Sequence, residues 1–177
     1  MEEITYEYVR KKVKHITIRV KKDGTVIVTV PLRADIKRAE AFVEMRADWI
    51  RQKVQEAGRR TIIHVDELEW TDRKEQYLRE VVAKMYPLFA AYQIPYPELK
   101  FRKMVSQYGN CRTRTGVITL NKALFWLPLE CVEYVVVHEL AHLIEANHGS
   151  NFYRVVGQVM PDYRIREERL QQYALCH

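Results

Sequence analysis

The residues 135–152, which read VVVHELAHLIEANHGSNF, decide the fold around which the rest of the chain is arranged. They contain an H-E-x-x-H motif at positions 138–142. On an α-helix, residues four apart project from the same face, about 6 Å apart along the axis. Two imidazoles at this spacing can bind one Zn²⁺ ion, and the glutamate after the first histidine can act over the ion as a general base.

A third histidine, His148, follows the motif after five intervening residues. A helix that simply continues cannot bring it to the metal, whereas a helix that ends and reverses through residues 146–149 can. We therefore expect His138, His142 and His148 to bind one zinc ion per chain, with Glu139 as the catalytic residue. The alternative is a histidine pair that packs in a core without a metal.

The residue types of this motif predict hydrolysis. Three protein ligands leave the fourth coordination position of zinc open, whereas a structural site is closed by a fourth ligand. Neutral imidazoles leave the charge of the ion largely uncompensated, which lowers the pKa of a bound water to about 7 in favourable sites. Glu139 can take the proton as that water attacks and pass it to the leaving group. Glu133 and Glu145 are candidates to orient an imidazole, or else solvated acids of the helix.

Composition is typical of a soluble globular protein that forms one domain. The chain has 177 residues, of which 47% are hydrophobic and 29% charged. No run is long and apolar enough for a membrane span, and residues 1–12 lack the apolar segment of a signal peptide. The chain has an odd number of cysteines and no C-x-x-C motif; the three are Cys111, Cys131 and Cys176. They predict reduced thiols in a cytoplasmic protein.

The positive charge of the chain lies in its first third. The net charge is +6, and residues 1–60 carry fifteen Lys and Arg against nine Asp and Glu, whereas residues 61–177 carry fourteen of each. Residues 10–22 hold seven basic residues and no acid. Two interpretations remain open: a weak nucleic-acid contact through basic strands, or a solvated sheet edge kept soluble by lysines.

The first sixty residues predict a small antiparallel sheet followed by a helix. Ile16, Ile18 and Val20 alternate with polar residues, as on a half-buried strand, and Asp23-Gly24 favours a turn. Asp35 is a suitable N-cap. The predicted strands are 4–9, 14–20 and 25–30, and the predicted helix is 35–57.

The remaining chain alternates helices with short strands. We expect a break near Pro87 in the first of these helices. The β-branched residues before His138 favour a strand by propensity, but the metal geometry requires a helix there. The predicted helices are 71–92, 128–142, 151–159 with Ser150 as N-cap, and 161–175; the predicted strands are 61–65, 99–105 and 117–120, with a polar, basic loop at 106–116. Zinc hydrolases can align an extended substrate along an edge strand beside the metal helix. Residues 117–120 are the candidate for that strand, and the alternative is that they belong to an ordinary hairpin without this role.

Several motifs resemble the YgjP-like family of small metal-dependent hydrolases, which is similar to the SprT-like and WLM-type zincin domains. The matching segments are YGNC (108–111), GVITLN (116–121), VVVHELAH (135–142), NHGSNFY (147–153) and MPDY (160–163). The resemblance implies an α+β, zincin-like fold with the HExxH helix beside a small antiparallel sheet, after an N-terminal β-hairpin and helix layer. It implies a single domain over 1–177, with the layer at 1–60 and the zincin-like core at 71–177. The family has Trp-Gly-Ser-Cys at 108–111 and Ser-Pro at 149–150, so the substrate preference of this chain can differ.

Three functions follow from the motif and the resemblance. The first is a zinc metallopeptidase. The second is a metal-dependent nucleoside triphosphate pyrophosphatase, because Arg112 and Arg114 in a glycine-flanked loop suit phosphate. The third is a DNA-associated, SprT-like protease. Substrate is therefore peptide or nucleotide, no membrane is involved, and Tyr108, Arg112 and Tyr153 are the candidate substrate-binding residues.

Overall fold

The computed structural model describes residues 4–177 of the chain. These residues belong to two compact units, one that ends at Ile62 and one that begins at Ile63. That the whole chain acts as a single domain remains a prediction. Within residues 4–177, every helix is too short or too polar to cross a membrane.

The first unit opens with a three-stranded sheet in the order β1-β3-β2. β2 and β3 form the predicted antiparallel pair, and Gly24 in the turn between them has a φ of 89°. β1 pairs with β3 in parallel, so the predicted all-antiparallel sheet is wrong. The central place goes to β3 because it is the most apolar strand, with Val26, Val28 and Val30 buried. The strands are β1 (Glu7–Lys11), β2 (Thr17–Val20) and β3 (Val26–Pro31).

The helix predicted over 35–57 is two helices, α1 (Ile36–Met45) and α2 (Ala47–Gly58). Arg46 separates them, with φ −107° and ψ 9°. The side chain of Asp35 accepts a hydrogen bond from the backbone N–H of Lys37 at 3.0 Å, which confirms it as the N-cap. Buried side chains of both helices pack with those of β3 to form the core of this unit.

The second unit includes Ile63 and His64 of β4 (Thr61–His64) and carries the motif helix with three further α-helices around it. The helix after Thr71 ends at Met85 and continues as a tighter turn over Tyr86–Tyr92, which agrees with the break expected at Pro87. The last helix was predicted to reach 175, which is wrong. It ends at Leu170, and the buried Ala174 and Leu175 belong to a strand that pairs with β4. The elements are α3 (Asp72–Met85), α4 (Leu129–Ala141), α5 (Ser150–Val159), α6 (Tyr163–Leu170) and β8 (Tyr173–Cys176).

A second three-stranded sheet lies beside α4, in the order β5-β7-β6. Its strands are β5 (Glu98–Arg102), β6 (Gly109–Arg112) and β7 (Val117–Asn121). β7 pairs in parallel with β5 and antiparallel with β6, so the sheet is mixed. β7 is therefore central, and the prediction that residues 117–120 form the edge strand is wrong. The edge beside α4 is β6, which was predicted as loop.

The β-branched run before His138 is helical, as the motif required. Residues 131–137 of α4 are all buried, because α3, α5, α6 and the sheet surround the helix. Burial on every side favours an apolar run without helical periodicity. The α+β class, with the motif helix beside a small sheet, is confirmed. The expectation that this sheet is antiparallel is wrong, because β5 and β7 are parallel.

Candidate metal centre

Three imidazoles meet at the C-terminal end of α4. Nε2 of His148 lies 2.9 Å from Nε2 of His138 and 3.1 Å from Nε2 of His142. Nitrogen ligands about 2.0–2.1 Å from a tetrahedral ion are about 3.3 Å apart, so the observed spacing fits one ion. These are the residues within 4–177 whose donor atoms converge closely enough to hold a metal.

The reversal that returns His148 begins directly after α4. The N–H groups of Leu143 and Ile144 bind the carbonyl oxygens three residues before them, which tightens the last turn. α5 then begins at Ser150 with Gly149 at the cap position, one residue earlier than predicted. Phe152, in the first turn of α5, is fully buried, and its ring centroid lies 4.8, 4.5 and 4.9 Å from those of His138, His142 and His148. The aromatic ring thus packs against all three imidazoles and restricts their orientation.

Hydrogen bonding and burial both favour neutral imidazoles with Nε2 free to bind a metal. Nδ1 of His142 lies 3.0 Å from the backbone oxygen of Glu145, and donation by Nδ1 leaves the lone pair on Nε2. Burial and the neighbouring histidines lower the pKa of His138 to about 3, and burial also lowers the pKa of His142. The neutral form is the one that binds metals.

The two acidic residues considered for orienting an imidazole have other positions. Glu145 orients His142 through its backbone oxygen and not through its carboxylate. The carboxylate of Glu133 accepts hydrogen bonds from Lys84 at 2.7 Å and from Arg166 at 2.6 Å. Glu133 therefore joins α3, α4 and α6 and is not part of the centre.

Glu139 directly follows His138 in α4 and is a buried carboxyl group, with 5% of its surface exposed. Burial raises its pKa to about 8. Its Oε2 atom has no hydrogen-bond partner among residues 4–177. Gly109 of β6 lies directly against it: a Cβ atom at that position would be 2.5 Å from Oε1. A buried carboxyl with an unsatisfied oxygen indicates a functional group rather than a structural one.

Comparison with protein families identifies the chain. Residues 14–80 and 64–173 match the family described as YgjP-like, metallopeptidase domain. The chain belongs to this family. It is therefore a metal-dependent hydrolase of the metallopeptidase type, as the sequence motifs implied. No curated protein compared with it matches significantly.

Two solved structures of metallopeptidase zymogens are similar in part. That of abylysin from Pyrococcus abyssi is 26% identical over 56% of this chain and 99% of its own, with a TM-score of 0.48. That of jannalysin from Methanocaldococcus jannaschii is 19% identical over 54% of this chain and 94% of its own, with a TM-score of 0.46.

The three candidate substrate-binding residues of this YgjP-like chain lie in different places. Tyr108 directly precedes Gly109, and its backbone oxygen accepts a hydrogen bond from Asn121 at 2.8 Å. Tyr153 packs edge-on against Phe152 and stacks on Tyr163, with its own side chain partly exposed. Arg112 is three residues after Gly109 on the same strand and so projects from the opposite face of the sheet.

Sequence reasoning missed two residues of the centre. Gly109 was assigned to a loop and Phe152 to an ordinary apolar helix face. The signal for Phe152 was its position as an apolar residue in the first turn of the helix that follows His148. Gly109 gave no local signal. A side chain is excluded at this position only because the side chain of Glu139 packs against it in the folded structure.

Proposed function

We propose that this chain is a zinc-dependent peptidase in which His138, His142 and His148 hold the ion and Glu139 is the general base. The observation that supports it most is the convergence of three Nε2 atoms at the end of the helix that carries Glu139, a buried carboxyl whose Oε2 has no hydrogen-bond partner among residues 4–177. Three neutral nitrogen donors suit zinc, whereas magnesium and calcium prefer oxygen ligands.

The residues of the centre have separate tasks in this proposal. Bound zinc would supply Lewis acidity toward a water molecule and the substrate carbonyl. Glu139 accepts the proton of the attacking water and returns it to the leaving amine. A cation beside this carboxyl favours its ionised form, which a base requires. Phe152 and the backbone oxygen of Glu145 keep the imidazoles in place, so that little reorganisation is needed during the reaction.

A peptide substrate fits the position of β6. This strand is the edge of its sheet and carries Gly109, the residue in contact with Glu139. An extended peptide that pairs with an edge strand gains backbone hydrogen bonds over several residues. Pairing with β6 would bring a peptide carbonyl to the side of the sheet on which Glu139 lies.

The phosphoanhydride alternative rested on the resemblance and on Arg112 and Arg114. Arg112 projects from the face of the sheet opposite to Gly109 and Glu139, which favours a peptide at the proposed centre. The DNA-associated protease remains a prediction that rests on the resemblance and on the basic residues 10–22.

Incubating the zinc-loaded chain with a casein panel and with the four nucleoside triphosphates tests the proposal. We expect peptide cleavage that disappears in Glu139→Gln, while the zinc content remains. Hydrolysis of a triphosphate without peptide cleavage would contradict the assignment, and peptide cleavage that persists in Glu139→Gln would contradict the role of the base.

A further inference from the structure

The sheet of β5, β7 and β6 has one apolar face and one basic face. On the apolar face, Leu99, Phe101 and Cys111 pack against the core together with Ile118 and Leu120. Because side chains alternate along a strand, the residues between these ones project from the other face. That face is not part of the metal centre.

Three cations occupy this second face. Lys100 and Arg102 come from β5, and Arg112 comes from β6, so the positive charges stand on the two outer strands. Lys100 forms an exposed ion pair with Glu98 at 3.0 Å. Arg102 and Arg112 are exposed and have no ion pair within residues 4–177.

The three cations line a cleft of about 210 Å³. We call this feature the basic cleft. Its floor is β7, where Thr119 is buried and is the direct neighbour of both Lys100 on β5 and Asn110 on β6. Since adjacent strands are about 4.8 Å apart, the two walls stand roughly 10 Å from each other. This width admits a small polyatomic anion between opposing donors.

The lining of the basic cleft selects negative charge. Besides the cations, it offers the amides of Gln107 and Asn110 and the hydroxyl of Thr119, all of which can donate hydrogen bonds. Among residues 4–177, no Asp or Glu lines it. Guanidinium groups bind phosphate oxygens in bidentate pairs, and such charge-assisted bonds are about twice as strong as neutral ones.

The lining also distinguishes a small phosphate ligand from a single-stranded nucleic acid. No aromatic side chain in the described part of the chain lines the basic cleft, so these residues offer nothing on which the bases of a single-stranded nucleic acid could stack. We propose that the basic cleft is a binding site for the phosphate group of a small ligand. The site lies on the reverse side of β6 from Glu139 and is separate from the proposed peptidase centre.

Isothermal titration with inorganic phosphate, at constant ionic strength adjusted with sodium chloride, tests the site. We expect one saturable site per chain, with binding about tenfold or more weaker in Arg112→Gln and in Arg102→Gln. Arg114→Gln is the matched control, because Arg114 is an exposed arginine of the adjacent turn that does not line the cleft. Its affinity is expected to equal that of the wild type.

Several results would contradict the proposal that the basic cleft binds phosphate. One is the absence of saturable binding, and another is equal weakening in Arg114→Gln, which would mean that general charge attracts the anion. If phosphate binds instead to a metal ion at the histidines, its affinity would be the same in Arg112→Gln as in the wild type, and that result would also contradict the proposed site. A parallel titration with an oligothymidylate separates nucleic acid from small phosphates: binding of the oligonucleotide alone would contradict the proposal. An unchanged thermal unfolding temperature in the three arginine variants would show that their folds are intact.

Discussion

Replacing Gly109 with alanine probes how closely the sheet holds the proposed base. The added Cβ atom would lie 2.5 Å from Oε1, 2.7 Å from Cγ and 2.8 Å from Cδ of Glu139. Ordinary van der Waals contact begins at 3.4 Å, so the carboxyl group must withdraw by about 0.9 Å, the difference between 3.4 and 2.5 Å. A displacement of about 1 Å in a catalytic arrangement lowers the rate by about 10²-fold.

We therefore expect kcat/KM for fluorescent casein to fall about 100-fold in Gly109→Ala, with the zinc content unchanged. Overpacking of this kind also lowers the free energy of unfolding by about 1–3 kcal/mol, which urea denaturation measures. Gly58→Ala is the matched control, because a Cβ atom there meets no atom of residues 4–177 within 4 Å. It is expected to retain full activity.

The reasoning would be refuted by a Gly109→Ala variant with activity within about threefold of the wild type. That result would mean that β6 or Glu139 adjusts freely, so that the contact does not position the base. Loss of zinc together with activity would also refute it, since the steric conflict involves the carboxyl group and not the imidazoles.

Three further predictions concern other residues of the second unit. Glu139→Gln should keep the zinc and lose about 10²- to 10⁴-fold in kcat, as measured by metal analysis and peptide cleavage, because the base is removed but the ligands remain. Burial alone would raise the pKa of Glu133, but its hydrogen bonds to Lys84 and Arg166 outweigh burial and lower it. A carboxyl with a lowered folded-state pKa stabilises the fold above its unfolded-state pKa, and this contribution is lost as the pH falls through the folded-state value. Urea denaturation should therefore show that Glu133→Gln is about 2 kcal/mol less stable at pH 7 and that the difference shrinks below pH 4; a difference independent of pH would contradict the assignment. Asn121→Ala should lose about 3 kcal/mol in the same assay, because the buried side chain makes three hydrogen bonds to backbone groups at about 1 kcal/mol each, and a loss below about 1 kcal/mol would show that water replaces them.

The motif helix could be predicted from the sequence because two histidine ligands of one ion require a helix, whatever the β-propensity of the residues before them. Two histidines four residues apart are about 6 Å apart along a helix but about 13 Å apart along a strand, so only a helix lets them bind one ion. The β-branched residues before His138 therefore had to be helical. The cap at Asp35 was equally readable, because it depends on a side chain and a backbone N–H two residues away.

Strand order could not be predicted in the same way. Both sheets place the most buried strand in the centre, β3 in one unit and β7 in the other, and so separate strands that follow one another in sequence. The register depends on which faces the helices cover, which is a property of the whole packed unit. The role of Gly109 follows from that packing, since only the order β5-β7-β6 brings β6 to α4.

The metal content of the zinc-loaded and dialysed protein tests the central claim most directly. Mass spectrometric metal analysis should find one zinc ion per chain in the wild type and in His15→Ala, a control at an exposed histidine in the first unit. It should find much less than one in His148→Ala, because removal of one of three ligands leaves an incomplete site. Equal zinc in His148→Ala and the wild type, or no retained zinc in the wild type, would contradict the proposal that the three imidazoles bind one ion.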